Sequence, residues 1–145
     1  MPLGAFISSD EIMSTLKTNP VLGHITTFGG HPVCCAAGLA ALEYLLDNHL
    51  MEQAEAKGRQ YEERLIQHPA VKSIRRTGLL MAIEYGDDAF CEKVVKRAVE
   101  TGLLTEWFLF WPSAMRIAPP LTITPEEIET SCRILLEAID YAIAH

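Results

Sequence analysis

No two cysteines in this chain stand at a Cys-x-x-Cys spacing, so nothing points to a zinc site or a thioredoxin-like redox motif. The four that occur, Cys34, Cys35, Cys91 and Cys132, read as reduced core or near-core thiols of a cytoplasmic protein. Positive charge is scarce. Lys and Arg number 12 against 19 Asp and Glu, a net charge of −7. That balance argues against a nucleic-acid binder and against a surface that relies on anionic lipids. Long hydrophobic runs are missing too. The most apolar stretch, Val33 to Leu46, contains Glu43 and falls short of the roughly 20 residues a bilayer span needs. The start, Met1-Pro2-Leu3-Gly4-Ala5-Phe6, lacks the basic region of a signal peptide. There is no Walker loop, no GxGxxG after a strand and no Ser–His–Asp order.

What the chain does have is 145 residues, 49% of them hydrophobic, enough for one domain with a real core. Ala5-Phe6-Ile7 reads as a strand end. Ser8 and Glu11 form a capping box opening a helix to about Thr18, which Asn19-Pro20 stops. Pro32 suits the first position of a helix over Val33–Leu46, apolar on every side and therefore expected to be buried, with Asn48 as its break. A polar helix from Leu50 to Gln67 follows, with Leu50, Ala54, Tyr61, Leu65 and Ile66 on its inner stripe, and ends at Pro69.

Strands are expected at Val71–Arg76 and, between Gly78 and Gly86, at Leu79–Tyr85. Asp87 or Asp88 caps a helix to Thr101, and Gly102 suits its left-handed exit. Leu103–Trp107 and Ala114–Ala118 are two more short strands. The last helix has Thr124 as cap, Pro125 at its start and Glu127 completing a capping box, with Ile128, Cys132, Leu135, Ile139 and Ala142 at helical spacing. Strands this close together favour an α+β fold, a small and mostly antiparallel sheet covered by helices.

Two places suggest ligand chemistry. In Thr26-Thr27-Phe28-Gly29-Gly30, hydroxyls sit beside glycines just ahead of a helix, which suits a phosphate; a tight turn with a threonine on a nearby carbonyl accounts for the same pattern. Arg116, between Met115 and Ile117, needs an anionic partner, either a ligand carboxylate or a protein one. His24 and His31 flank the loop without metal-ligand spacing, and no metal is expected. Trp107, Phe108, Phe110 and Trp111 cluster as core, pocket wall or interface. The five lysines, Lys17, Lys57, Lys72, Lys93 and Lys96, all have polar neighbours or solvated helix faces.

Met1–Phe6, the loop His24–Pro32, Ile74-Arg75-Arg76-Thr77-Gly78-Leu79, and Met115-Arg116-Ile117-Ala118-Pro119-Pro120-Leu121 with Thr124 occur in one order. Together they resemble the C-terminal part of a class III pyridoxal-phosphate aminotransferase, the group of ornithine, acetylornithine and 4-aminobutyrate aminotransferases. The resemblance implies a remnant of the cofactor-binding large domain at 1–32, connecting helices at 33–70 and the C-terminal small domain of fold-type I enzymes at 71–145. Thr27, with Thr26 beside it, would reach the cofactor phosphate across a dimer. Arg116 would bind the substrate α-carboxylate. Arg76 stands where the family's V-R-G-x-G-L pattern has its first glycine, which puts the local turn in question.

The family's Schiff-base lysine lies upstream of the stretch matched by Met1–Ala5, so no catalytic residue is assigned here. The expectation is a chain that binds pyridoxal phosphate only unstably and is inactive alone. Its partners would be a second copy or a separately encoded N-terminal chain. Two alternatives stay open: a subunit of a split two-chain aminotransferase, and a non-catalytic dimerisation or folding module.

Overall fold

A computed structural model of the chain describes every residue except Pro20, Leu22 and His24, and resolves two units, Met1–Asn48 and His49–His145. The division falls inside the stretch 33–70 expected to connect two domains.

Among its described residues the first unit holds α1 (Asp10–Ser14) and α2 (Pro32–Asp47). Three expectations are corrected here. Ala5-Phe6-Ile7 forms no strand, since a strand needs a neighbour to take its backbone hydrogen bonds and none among the described residues pairs with it. The cap of α1 is Ser9, whose hydroxyl accepts from the Ile12 amide at 3.4 Å, and the helix stops at Ser14 instead of reaching Thr18. Finally, α2 has no buried residue, although apolar side chains surround it. Its own unit offers only the five-residue α1 and loops as cover; Leu3 does lie against Gly38, where a Cβ would meet the leucine at 2.2 Å. Cys35, expected in the core, is therefore exposed and Cys34 half-buried. Pro32 and Asn48 do mark the ends of α2.

The second unit runs α3 (Leu50–Leu65), β1 (Ser73–Thr77), β2 (Leu80–Glu84), α4 (Asp88–Glu100), β3 (Glu106–Phe108), β4 (Trp111–Ile117) and α5 (Pro125–Ala144). The sheet order is β1-β2-β4-β3 with every pairing antiparallel, the α+β layout that the short strand spacing implied. Thr77 pairs Leu80, leaving a two-residue turn whose first residue, Gly78, has φ +55° as such hairpins require. Asp87 caps α4 by accepting from the Phe90 amide at 2.7 Å. Gly102 ends it at φ +93°, with the Leu103 amide reaching back to the Ala98 carbonyl at 2.9 Å. The capping box of α5 is complete: Glu127 N–H donates to the Thr124 hydroxyl and Thr124 N–H to the Glu127 carboxylate. Its stripe Ile128, Cys132, Leu135, Ile139 and Ala142 is buried throughout.

One face of the sheet supplies the core. Ile74, Ile83 and Met115 align across β1, β2 and β4, and Met81 and Ile117 form the next row. They pack with α4 and α5 through Val94, Ala98, Ile128 and Ile139. The α3 helix joins through Tyr61, whose hydroxyl shares a 2.7 Å buried hydrogen bond with Ser131 of α5. Its closest approach is at Gly58, where a Cβ would lie 2.0 Å from the Gly78 carbonyl oxygen. Because that obstacle is backbone, Gly58→Ala should cost about 1–3 kcal/mol. Urea unfolding should show the midpoint falling with the slope unchanged.

Candidate functional site

The outward face of the same sheet carries the charges. Arg75, Ala82, Arg116 and Glu106 lie in one row across β1, β2, β4 and β3. Strand alternation puts Met115 and Ile117 in the core and turns Arg116 outward. Arg116 is thus exposed, not buried as its apolar neighbours suggested, and its guanidinium pairs with Glu106. The protein-carboxylate partner left open on sequence is present, and it sits at the surface.

Above the row lies an open groove of about 1050 Å³. Ala82 lies on its floor, and Phe108, Phe110 and Trp111 of the β3–β4 hairpin border it, while Trp107 pairs with Met115 in the inward-facing row. This hairpin turns through Leu109 and Phe110 without glycine, and Phe110 is 93% exposed. The expected strands Leu103–Trp107 and Ala114–Ala118 are displaced accordingly, to Glu106–Phe108 and Trp111–Ile117.

Glu84, unmarked in the sequence reading, organises this wall. Its carboxylate accepts from Trp111 Nε1, from the Ser113 hydroxyl at 2.6 Å and from the Gly86 amide at 2.8 Å. Partial burial works to raise its pKa, but the Ser113 and Trp111 bonds, the Gly86 amide and nearby Arg75 together hold it below the usual carboxylate value. The Arg75 guanidinium also lies over the Trp111 ring, 6.0 Å from its centroid. The signal that could have found Glu84 is its place: the last polar residue of a strand, two positions after Ala82 and so on the same face.

Arg76 resolves the departure noted at its position. It points to the inner side, toward α3, where Nε meets Glu62 at 2.6 Å and Nη1 meets Glu55 at 2.9 Å. The turn at Gly78 is intact, and two glutamates of α3 accept the side chain that stands in place of the glycine.

In the first unit, Gly29 N–H donates to the Thr26 carbonyl at 3.2 Å and His31 N–H to the Phe28 carbonyl at 3.1 Å. A Cβ on Gly29 would meet the Thr26 hydroxyl at 2.5 Å, and Gly30 has φ +72°. The result is a tight turn with Thr26 and Thr27 exposed ahead of α2. Hydroxyls and glycine backbone at the surface fit a phosphate group. His31 is the N-cap of α2 without a side-chain capping bond; His24 lies outside the described residues.

No lysine stands out as a nucleophile. Lys57 donates to the Leu121 carbonyl at 2.7 Å, Lys17 pairs with Asp10 and Lys96 with Glu92. Burial pushes the Cys91 thiol up to about 12 and the Cys132 thiol to about 11, so neither is a thiolate at neutral pH. No helix among the described residues is long and apolar enough to cross a membrane.

The sequence profile of the aminotransferase class-III family matches residues 1–139. Among solved structures, ornithine aminotransferase from Toxoplasma gondii is similar, with 33% identity over 92% of this chain and 32% of that one, at a TM-score of 0.78. Acetylornithine aminotransferase from Elizabethkingia anophelis shows 30% identity over 93% of this chain and 36% of its own, also at 0.78. An aminotransferase from Bacillus anthracis shows 30% identity over 91% and 34%. The chain thus spans about a third of the length of the structures it matches.

The Glu84 cluster has a pH signature. A carboxylate held below its unfolded value contributes stability that is complete above the unfolded pKa, and that contribution is lost as pH falls through the folded one. Glu84→Gln should therefore flatten the loss of thermal stability between about pH 5 and pH 3. Melting temperatures of the two proteins across that window check it.

Proposed function

The chain belongs to the aminotransferase class-III family, and from that premise we propose that it forms the substrate-carboxylate side of a pyridoxal-phosphate-dependent aminotransferase, working in the cytoplasm and as a dimer. The observation that carries this reading is Arg116, which stands on the open face of a sheet beside an aromatic groove and already holds a carboxylate, that of Glu106. An amino acid or 2-oxo acid would replace Glu106 and take the planar guanidinium in a two-point fork. With its carboxylate fixed, the acid keeps its α-carbon at one place beside the groove.

The exposed Thr26-Thr27 turn would hold the phosphate of the cofactor, with Gly29 and Gly30 allowing the backbone close. Bound pyridoxal phosphate supplies the electron sink for moving an amino group from donor to 2-oxo acid. None of this chain's five lysines is assigned the covalent bond to it. Four free thiols, two of them buried and protonated, support a reducing compartment.

Alone, the chain should therefore give no stoichiometric adduct when mixed with pyridoxal phosphate, reduced with borohydride and weighed by mass spectrometry. A single fully labelled lysine would overturn the assignment.

The positive test is a chimera in which this chain replaces the matching third of the Toxoplasma gondii ornithine aminotransferase. It should transfer amino groups, and Arg116→Gln should lower kcat/KM about 100-fold at unchanged melting temperature. A folded, cofactor-loaded chimera indifferent to Arg116→Gln would refute the carboxylate role. The split-enzyme and dimerisation-module readings have no separate observation in their favour.

A further inference from the structure

A second cleft opens on the core side of the sheet. It holds about 640 Å³ between the segment Gly102–Thr105, the residues that follow β4 and the first turns of α5. Ile117, which faces inward, belongs to its lining, and Arg116 does not. Its walls are apolar: Leu103, Leu104, Pro119, Pro120, Ile134 and Leu135. A volume of this size suits a small organic molecule, whose class the polar groups of the lining decide.

Most of those groups have already given their hydrogens away. The Ser131 hydroxyl donates to the Ile128 carbonyl at 2.9 Å. Tyr61 is therefore the donor in the 2.7 Å bond to Ser131, and its own hydrogen is spent as well. Thr105 donates to the Arg116 carbonyl at 2.6 Å. The Gly102 and Leu103 amides go to the Val99 and Ala98 carbonyls, the Ile123 amide goes to Pro120, and a proline has no N–H to offer. All of these groups can still accept a hydrogen bond, and none has a hydrogen for a carboxylate or carbonyl.

The charge of the lining has one sign. Glu126 and Glu127 belong to it, and no Lys, Arg or His does. They stand in the first turn of α5, where two full negative charges outweigh the roughly half positive charge of a helix end. Thr124 N–H occupies Glu127 Oε2 at 2.8 Å and leaves Oε1 open. Glu126 has no ion-pair partner among the described residues. Ser131 lies one turn beyond Glu127 on the same helix face. The Tyr61 hydroxyl is near enough to feel that carboxylate: burial raises its pKa, and the Glu127 charge adds to the rise.

We propose that this cleft binds a small organic ammonium with an apolar body. The ammonium sits at the Glu126–Glu127 corner beside the hydroxyl oxygens of Tyr61 and Ser131, and the carbon chain lies against Leu103, Leu104 and Ile134. The site stands independently of the reading of Arg116, whose side chain is on the other face of the sheet.

Hexylamine, hexan-1-ol and hexanoate share one carbon chain and differ in the head group. At pH 7 the amine is a cation, like the lysine side chain. Titrated into the ¹⁵N-labelled chain, hexylamine should move the backbone amides of Leu103, Leu104, Thr105, Thr130 and Ser131 to saturation. It should bind about tenfold tighter than hexan-1-ol, and hexanoate should not saturate. The double variant Glu126→Gln/Glu127→Gln keeps the capping box, since glutamine serves at that position too. It should bind hexylamine no better than hexan-1-ol at a nearly unchanged melting temperature. Glu126→Gln alone, outside the capping box, should show part of that loss.

Hexan-1-ol or hexanoate binding as tightly as hexylamine overturns the ammonium class. Hexylamine that leaves these amides unmoved, or that binds the glutamine variants as tightly as the parent chain, overturns the site. Movement of the same amides on concentrating the chain without amine gives the cleft to a second copy and overturns it as well.

Discussion

One register divides the sheet of this protein's second unit into a core face and an open outer face. With Ile74, Ile83 and Met115 aligned inward, Arg75, Ala82 and Arg116 must align outward, because successive side chains of a strand point to opposite faces. A slip of one residue would bury two guanidiniums and expose the methionine and isoleucines that α4 and α5 cover. The register is held at both ends. Gly78 closes the β1–β2 hairpin, and the Tyr85 amide donates to the Ser113 carbonyl at 3.0 Å where β2 leaves β4. Burial of the inner face thus fixes the outer one, and Arg116 inherits its position from hydrophobic packing it does not share.

The outer face has its own scaffold. Glu84 links the end of β2 to Trp111 and Ser113 at the start of β4, and Arg75 from β1 closes over the indole. Three strands thereby contribute to one wall. The tether of Lys57 to the Leu121 carbonyl holds the segment after β4 against α3. Arg116 stands between these two fixed points, with an ion-pair partner on the edge strand β3. An exposed pair of this kind is weakly held, since solvent screens it and two long side chains must be ordered to form it.

The elements that were plain in the sequence are those with local signatures. Thr124-Pro125 with Glu127 marks α5, and Asp87 and Gly102 bracket α4; each end is decided within four residues of chain. The β3–β4 hairpin was displaced because Leu109-Phe110 carries none of the usual turn residues; the pairing of Phe108 with Trp111 closes that turn, and propensity does not. The strand expected at Ala5–Ile7 failed for lack of a pairing partner, which no local pattern reveals. Around Arg116 the setting was not legible. Met115 and Ile117 read as evidence of burial, when in a strand they are evidence that the residue between them faces the other way. Glu84, Glu106 and Arg75 lie 32, 10 and 41 positions from Arg116 and share its face of the sheet only through the register.

Arg76 carries a consequence for descent. Its guanidinium is the shared counter-charge of Glu55 and Glu62, one turn-pair apart on α3. Restoring the family's glycine at position 76 in a single step would leave Glu62 without its cation and Glu55 with Arg59 alone at 3.8 Å, whereas neutralising the glutamates first would strand the arginine against α3. The three positions are therefore coupled, each substitution easier in the background of the others. In a set of related chains, an arginine at this place in the hairpin should travel with acidic residues at the two helix positions, and a glycine there should not.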